Sequence, residues 1–228
     1  AETDDPDFPG KNVVVESADE LLTFYRRLPS LVPRSMFQEI VPGGDDHLVT
    51  ITSFSDERGS VVDQVSLRKL RQWLPDTGTA CFSVSESHPR LLEMTRTFLE
   101  DIGYVGMSGV EYVHSDQTGE WFFLELNTRT LYRNQQHADS GVDLNAISYL
   151  EMAGFEPPRG LRQRDGVYWM DVHRDIPSWI VKWLRQEIPL TVWLRDIRRT
   201  SSFAIFDRDD PKPFLASILR MAAMGLRV

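Results

Sequence analysis

An α/β chain of the α+β kind, with helices packed on antiparallel sheets, is predicted from how its apolar residues recur. In GVEYVHSDQTGEWFFLELNTR, residues 109–129, apolar and polar side chains alternate on both sides of a polar turn, the pattern of two strands folded back on each other. LVTITSFS and SVVDQVSLRKL form a second hairpin around Asp56-Glu57-Arg58-Gly59. Between the hairpins, Leu91, Leu92, Met94, Thr95, Phe98 and Leu99 share one face of a helix.

Taken in order, the chain starts with AETDDPDFPG, acidic and proline-containing, which predicts a loop. NVVVE predicts a strand, and Ser17 with Glu20 makes a capping box that opens the helix ADELLTFYRRL. A strand over SMFQEIV follows Pro33 and ends at Pro42-Gly43-Gly44, a turn that matches neither a phosphate-binding P-loop nor a dinucleotide fingerprint. Thr77 to Ser85 predicts a further strand. Ser87 is placed to cap the helix that carries Pro89 in its first turn and ends at Gly103. Val142 to Met152 predicts a helix begun by Ser140-Gly141 and ended by Gly154. Beyond Pro157 and Pro158 come VYWMDVHRDIPSWIVKWL and the amphipathic PFLASILRMAAMGL, whose Trp169, Trp179 and Trp183 suit a packed core.

Composition excludes several functions. A net charge of -9 argues against nucleic-acid and anionic-membrane partners, which call for a basic surface. The single cysteine, Cys81, rules out an internal disulfide framework and a multi-cysteine zinc site. No apolar run has membrane-spanning length and no signal-peptide pattern is present, so the expected location is cytoplasmic. His47, His88, His114, His137 and His173 are scattered without ligand spacing, which predicts no histidine metal site.

The chemistry-bearing residues lie in the hairpin. Pairing about Thr118, with Gly119 supplying a positive φ, sets Glu111 opposite Glu125 with Asn127 on the same face. Like charges facing each other on a sheet repel, so this pair calls for a cation. Two carboxylates and an amide oxygen suit magnesium. An edge hairpin with solvated acids is the plain alternative, since a one-residue slip would separate the pair. Arg68, Lys69 and Arg71 end a strand, where three cations form either a solvated face or a phosphate-handling cluster.

FQEIVPGGDDHL, SLRKLRQW, DIGYVGMSGVEY, FFLELNTR and SGVDLNAISYLEMAGF occur in an order and spacing that resemble the C-terminal part of an ATP-grasp domain of the carboxylate-amine ligase type. That resemblance covers Phe37 to about Phe155. It implies an ATP-grasp fold with residues 1–42 in the small subdomain and its flap, 43–156 in the large subdomain, and 157–228 as a C-terminal extension. Backbone groups at Glu39 and Ile40 would bond adenine, and Asp45 or Asp46 the ribose. Glu111, Glu125 and Asn127 would hold Mg2+, or Mn2+ in its place. Lys69, Arg71 and Arg129 would stabilise the transferring phosphoryl group, with Gly141 bordering the phosphates. The implied activity joins a small-molecule or peptide carboxylate to an amine through an acyl phosphate. Two phosphate-binding lysines of the family would lie upstream of this sequence. They would be supplied by an N-terminal part with which the chain associates, and a homodimer is the other expected assembly. A non-catalytic nucleotide-binding or scaffold module, a remnant or subunit of a split enzyme, is the competing expectation.

Overall fold

The computed structural model describes residues 13–27, 36–73, 75 and 78–225, and the chain divides into two compact units, 1–40 and 41–228. In the first unit, helix α1 (Ala18–Arg27) begins as the capping residues predict. Ser17 Oγ accepts from the Glu20 amide at 3.2 Å, and the Glu20 carboxylate reaches back to the Glu16 amide at 2.9 Å. The strands predicted over NVVVE and SMFQEIV are not strands in their described parts, since residues 13–15 and 36–44 are irregular. A strand needs a ladder partner, and neither run has one among the described residues. The acidic loop predicted over residues 1–10 lies outside those residues.

The second unit is built on one seven-stranded sheet, in the order β5-β4-β1-β2-β3-β6-β7. Its strands are β1 (Leu48–Ser55), β2 (Val61–Trp73), β3 (Thr79–Ser85), β4 (Gly106–Ser115), β5 (Glu120–Asn127), β6 (Tyr168–Met170) and β7 (Thr200–Phe203). All neighbours are antiparallel except β6 and β7, which run parallel and depart from the expected all-antiparallel pattern. The segment after residue 157 therefore extends the same sheet through β6, which pairs with β3.

Alternation along the strands divides the core between two faces. Val49, Ile51, Val110 and Tyr112 pack against Leu91 of helix α2 (Pro89–Asp101), while Phe54, Val65 and Leu67 on the opposite face pack against Leu144 and Ile147. Those last two residues belong to helix α4 (Leu144–Met152), which follows a short helix α3 (Asn134–Asp139).

Two caps differ from expectation. The N-cap of α2 is His88, one residue past Ser87, and its side chain makes no cap hydrogen bond, with Pro89 in the first turn. Helix α4 starts at Asp143, whose carboxylate accepts from the Ala146 amide at 3.0 Å, so Ser140-Gly141 belongs to the preceding turn. Helices α5 (Val172–Leu184), α6 (Leu190–Arg199) and α7 (Lys212–Gly225) complete the unit. Among the described residues, no helix is long and apolar enough to cross a membrane.

Candidate functional site

The face of the sheet that carries α4 also carries the acidic pair. Glu111 on β4 lies opposite Glu125 on β5, and Gly109 lies opposite Asn127, so all three predicted metal ligands share one face. Glu125 is exposed and its Oε1 accepts from Asn127 Nδ2 at 2.8 Å, leaving the amide oxygen of Asn127 for a cation. Gly109 makes room for the chain that follows β5, since a Cβ there would collide with Leu131 Cδ1. The backbone after Arg129 is thereby laid over the sheet.

Glu111 is only 9% exposed, and the cation that answers it belongs to the protein. Lys69 Nζ on β2 lies 2.7 Å from Glu111 Oε2, reaching past the intervening β1. Arg133, which the sequence reading did not single out, is buried on the same face and donates through Nη2 to Thr50 Oγ1 at 2.7 Å. Burial lowers its pKa to about 10, and the neighbouring Glu111 works in the other direction. Its Nη1 is buried without a hydrogen-bond partner among the described residues. Arg133 lies between the blocks that end at Arg129 and begin at Ser140, so only its nearness to Arg129 was available as a signal, and its burial was not.

Strand geometry separates the three predicted cations. Arg68 turns to the other face and pairs with Glu86 at 2.9 Å. Arg71, 2% exposed, is enclosed: Nε donates to Asp175 Oδ1 at 2.7 Å, Nη1 to Asp196 Oδ2 at 2.6 Å, and its guanidinium lies over Phe82. Burial opposes its charge, but Asp175 and Asp196 overcome that and raise its pKa. The expectation that Arg71 faces a phosphoryl group gives way to an anchoring role for α5 and α6. Arg129 is exposed, near the end of β5.

Of the expected nucleotide contacts in the second unit, two are engaged within the protein. Asp45 is buried, accepts from the Gln72 backbone amide and Nε2, and pairs with Lys182 at 3.1 Å, so it does not present itself to a ribose. Asp46 is exposed. Gly141 has φ +96° and donates its N–H to Ala138 O, which removes it as an anion donor. Glu39 and Ile40 are exposed and lie in the first unit.

The histidines correct the sequence expectation in part, because His47 and His114, distant in sequence, come together with ring centroids 6.0 Å apart beside Asp116. His137 is buried on α3, where burial and then Arg133 lower its pKa to about 3.

No family model matches this chain. Over 119 residues, 50% of the chain, it is 28% identical to acetyl-CoA carboxylase 2 of Oryza sativa subsp. japonica and 26% identical to acetyl-CoA carboxylase 1 of Arabidopsis thaliana. That stretch spans only 5% of the length of either relative. Among solved structures, N5-carboxyaminoimidazole synthetase from Staphylococcus aureus, complexed with ADP, superposes with a TM-score of 0.50 at 10% identity, over 68% of this chain and 41% of that one. Biotin carboxylase from Campylobacter jejuni superposes with a TM-score of 0.49 at 16% identity, over 69% and 37%.

Proposed function

We propose that this chain, which has the ATP-grasp fold, is the metal-binding part of an ATP-dependent carboxylate-amine ligase. The observation that carries this reading is the placement of Glu111, Glu125 and Asn127 on one sheet face, an all-oxygen ligand set of the kind magnesium takes. Magnesium held there supplies charge neutralisation to the phosphates of ATP. The residues of the chain provide the rest. Lys69 and Arg129 offer cations to the transferring phosphoryl group, and the buried Arg133 keeps positive charge beneath it. In the proposed reaction a carboxylate oxygen attacks the γ-phosphorus, ADP leaves, and an amine then displaces phosphate from the acyl phosphate.

Calorimetric titration with Mg-ATP tests the site. Glu125→Gln and Asn127→Ala should each weaken binding while circular dichroism stays unchanged, because both residues project from the sheet. Unchanged affinity in both variants would remove the assignment.

A second reading, a non-catalytic nucleotide-binding or scaffold module, is favoured by the Lys69–Glu111 bridge, in which one proposed catalytic cation already occupies one proposed metal ligand. Turnover separates the two readings. ADP release that depends on both a carboxylate and an amine supports the ligase, whereas Mg-ATP binding without such release supports the module.

A further inference from the structure

The geometry points to a second cation site, independent of the nucleotide, in which His47, His114 and Asp116 hold a zinc-class divalent ion. His47 closes the 3-10 turn Asp45–His47 immediately before β1. β1 and β4 pair from Leu48 with Val113, so one step further along the two strands stand His47 and His114. Asp116 lies in the turn that leads from β4 to β5. His47 Nε2 is 3.5 Å from Asp116 Oδ2, His114 Nδ1 is 3.3 Å from Asp116 Oδ1, and one ligand atom from each residue lies within 4.8 Å of the others. A tetrahedral ion with bonds of about 2.0–2.1 Å requires ligand atoms roughly 3.3–3.4 Å apart, so atoms within 4.8 Å of one another close the site by moving together by at most about 1.5 Å.

Both rings are held before any ion arrives. A Cβ on Gly43 would fall 2.5 Å from His47 Nδ1, so the backbone of Gly43 backs that nitrogen and leaves Nε2 as the one facing Asp116. Trp121 packs on His114 with ring centroids 5.0 Å apart. The carboxylate of Asp46 is 4.0 Å from His47 Nε2, which places a second negative charge beside the imidazoles to balance a divalent ion.

Two imidazole nitrogens and a carboxylate select zinc-class metals, while magnesium prefers oxygen donors. The site is also separate from Glu111. Along β4, His114 falls on the α2 face with Tyr112, whereas Glu111 points to the α4 face. An ion here ties the β4–β5 turn to the start of β1 and leaves a coordination position for water or Asp46.

The test uses the full chain freed of metal by chelation, titrated with Zn2+ alone in the calorimeter. One ion should bind, His114→Gln and Asp116→Asn should each weaken it at least tenfold, and Glu125→Gln should leave it unchanged. Co2+ should give the intense visible absorption of a tetrahedral field, lost in the same two variants. Asp116 is on an exposed turn, so Asp116→Asn remains informative even if the strand variant misfolds. No Zn2+ uptake, or uptake that Asp116→Asn does not alter, would overturn the assignment.

Discussion

Lys69 Nζ and Glu111 Oε2 are 2.7 Å apart on one face of the sheet, with both side chains largely removed from solvent. The carboxylate that would ligate magnesium is therefore already neutralised by the chain itself. Removing one partner of such a pair leaves a buried charge, which costs about 3–5 kcal/mol. Lys69→Met should lower stability toward the smaller of those values, since Arg133 remains near Glu111. Magnesium should then restore part of the loss by replacing the missing cation, so thermal melts with and without Mg2+ should differ more in Lys69→Met than in the parent chain. Equal Mg2+ responses would mean that Glu111 is no metal ligand.

Arg71 should behave as an anchor. With Asp175 and Asp196 both buried against it, Arg71→Met should destabilise the fold by about 3–5 kcal/mol in urea titrations. A double-mutant cycle with Asp175→Asn should be strongly non-additive, because the two changes break one network. A stable Arg71→Met protein that has lost only turnover would restore the catalytic role expected from sequence.

His137 gives a pH prediction with a definite sign. Its pKa is lowered to about 3 in the folded chain, against 6.5 for an ordinary histidine. Below pH 6.5 the unfolded chain takes up a proton that the folded one refuses, so stability is full above that pH and declines as the pH falls toward 3. The decline amounts to at most about 1.4 kcal/mol per pH unit. His137→Leu, which removes a ring whose nitrogens have no hydrogen-bond partner among the described residues, should lose less stability between pH 7 and pH 5 than the parent, by roughly 2 kcal/mol. Parallel stability curves for the two proteins would contradict this.

Cys81 should report unfolding. It is fully buried on β3, and burial followed by the nearby Asp175 pushes its thiol pKa up, so little thiolate exists to react. Labelling by iodoacetamide should be negligible in native buffer and should rise along the urea transition measured by circular dichroism. Rapid labelling without denaturant would show that β3 opens locally.

How much of this was legible in the chain differs from residue to residue. Alternation and turn chemistry act over a few residues, so the hairpin at 109–129, the capping box at Ser17 and Glu20, and Gly119 with its φ of +69° were available without a structure. Glu111 does face Glu125 as the alternation implied, although the turn closes Ser115 on Glu120. A bulge at Leu124 makes up the one-residue difference, and alternation alone could not reveal it. The sequence by itself determined that these strands alternate between two faces, but not the bulge that puts Phe123, rather than Phe122, on the face of Tyr112. Tertiary structure decided which charges meet, because strand order sets those pairings between segments far apart in the chain. It placed β1 between β2 and β4, bringing Lys69 to Glu111 and His47 to His114, and it folded α5 and α6 back so that Asp175 and Asp196 enclose Arg71. A run of three cations carries no mark of this, since the pleat sends neighbours to opposite faces and only the packed fold supplies each with its own carboxylate.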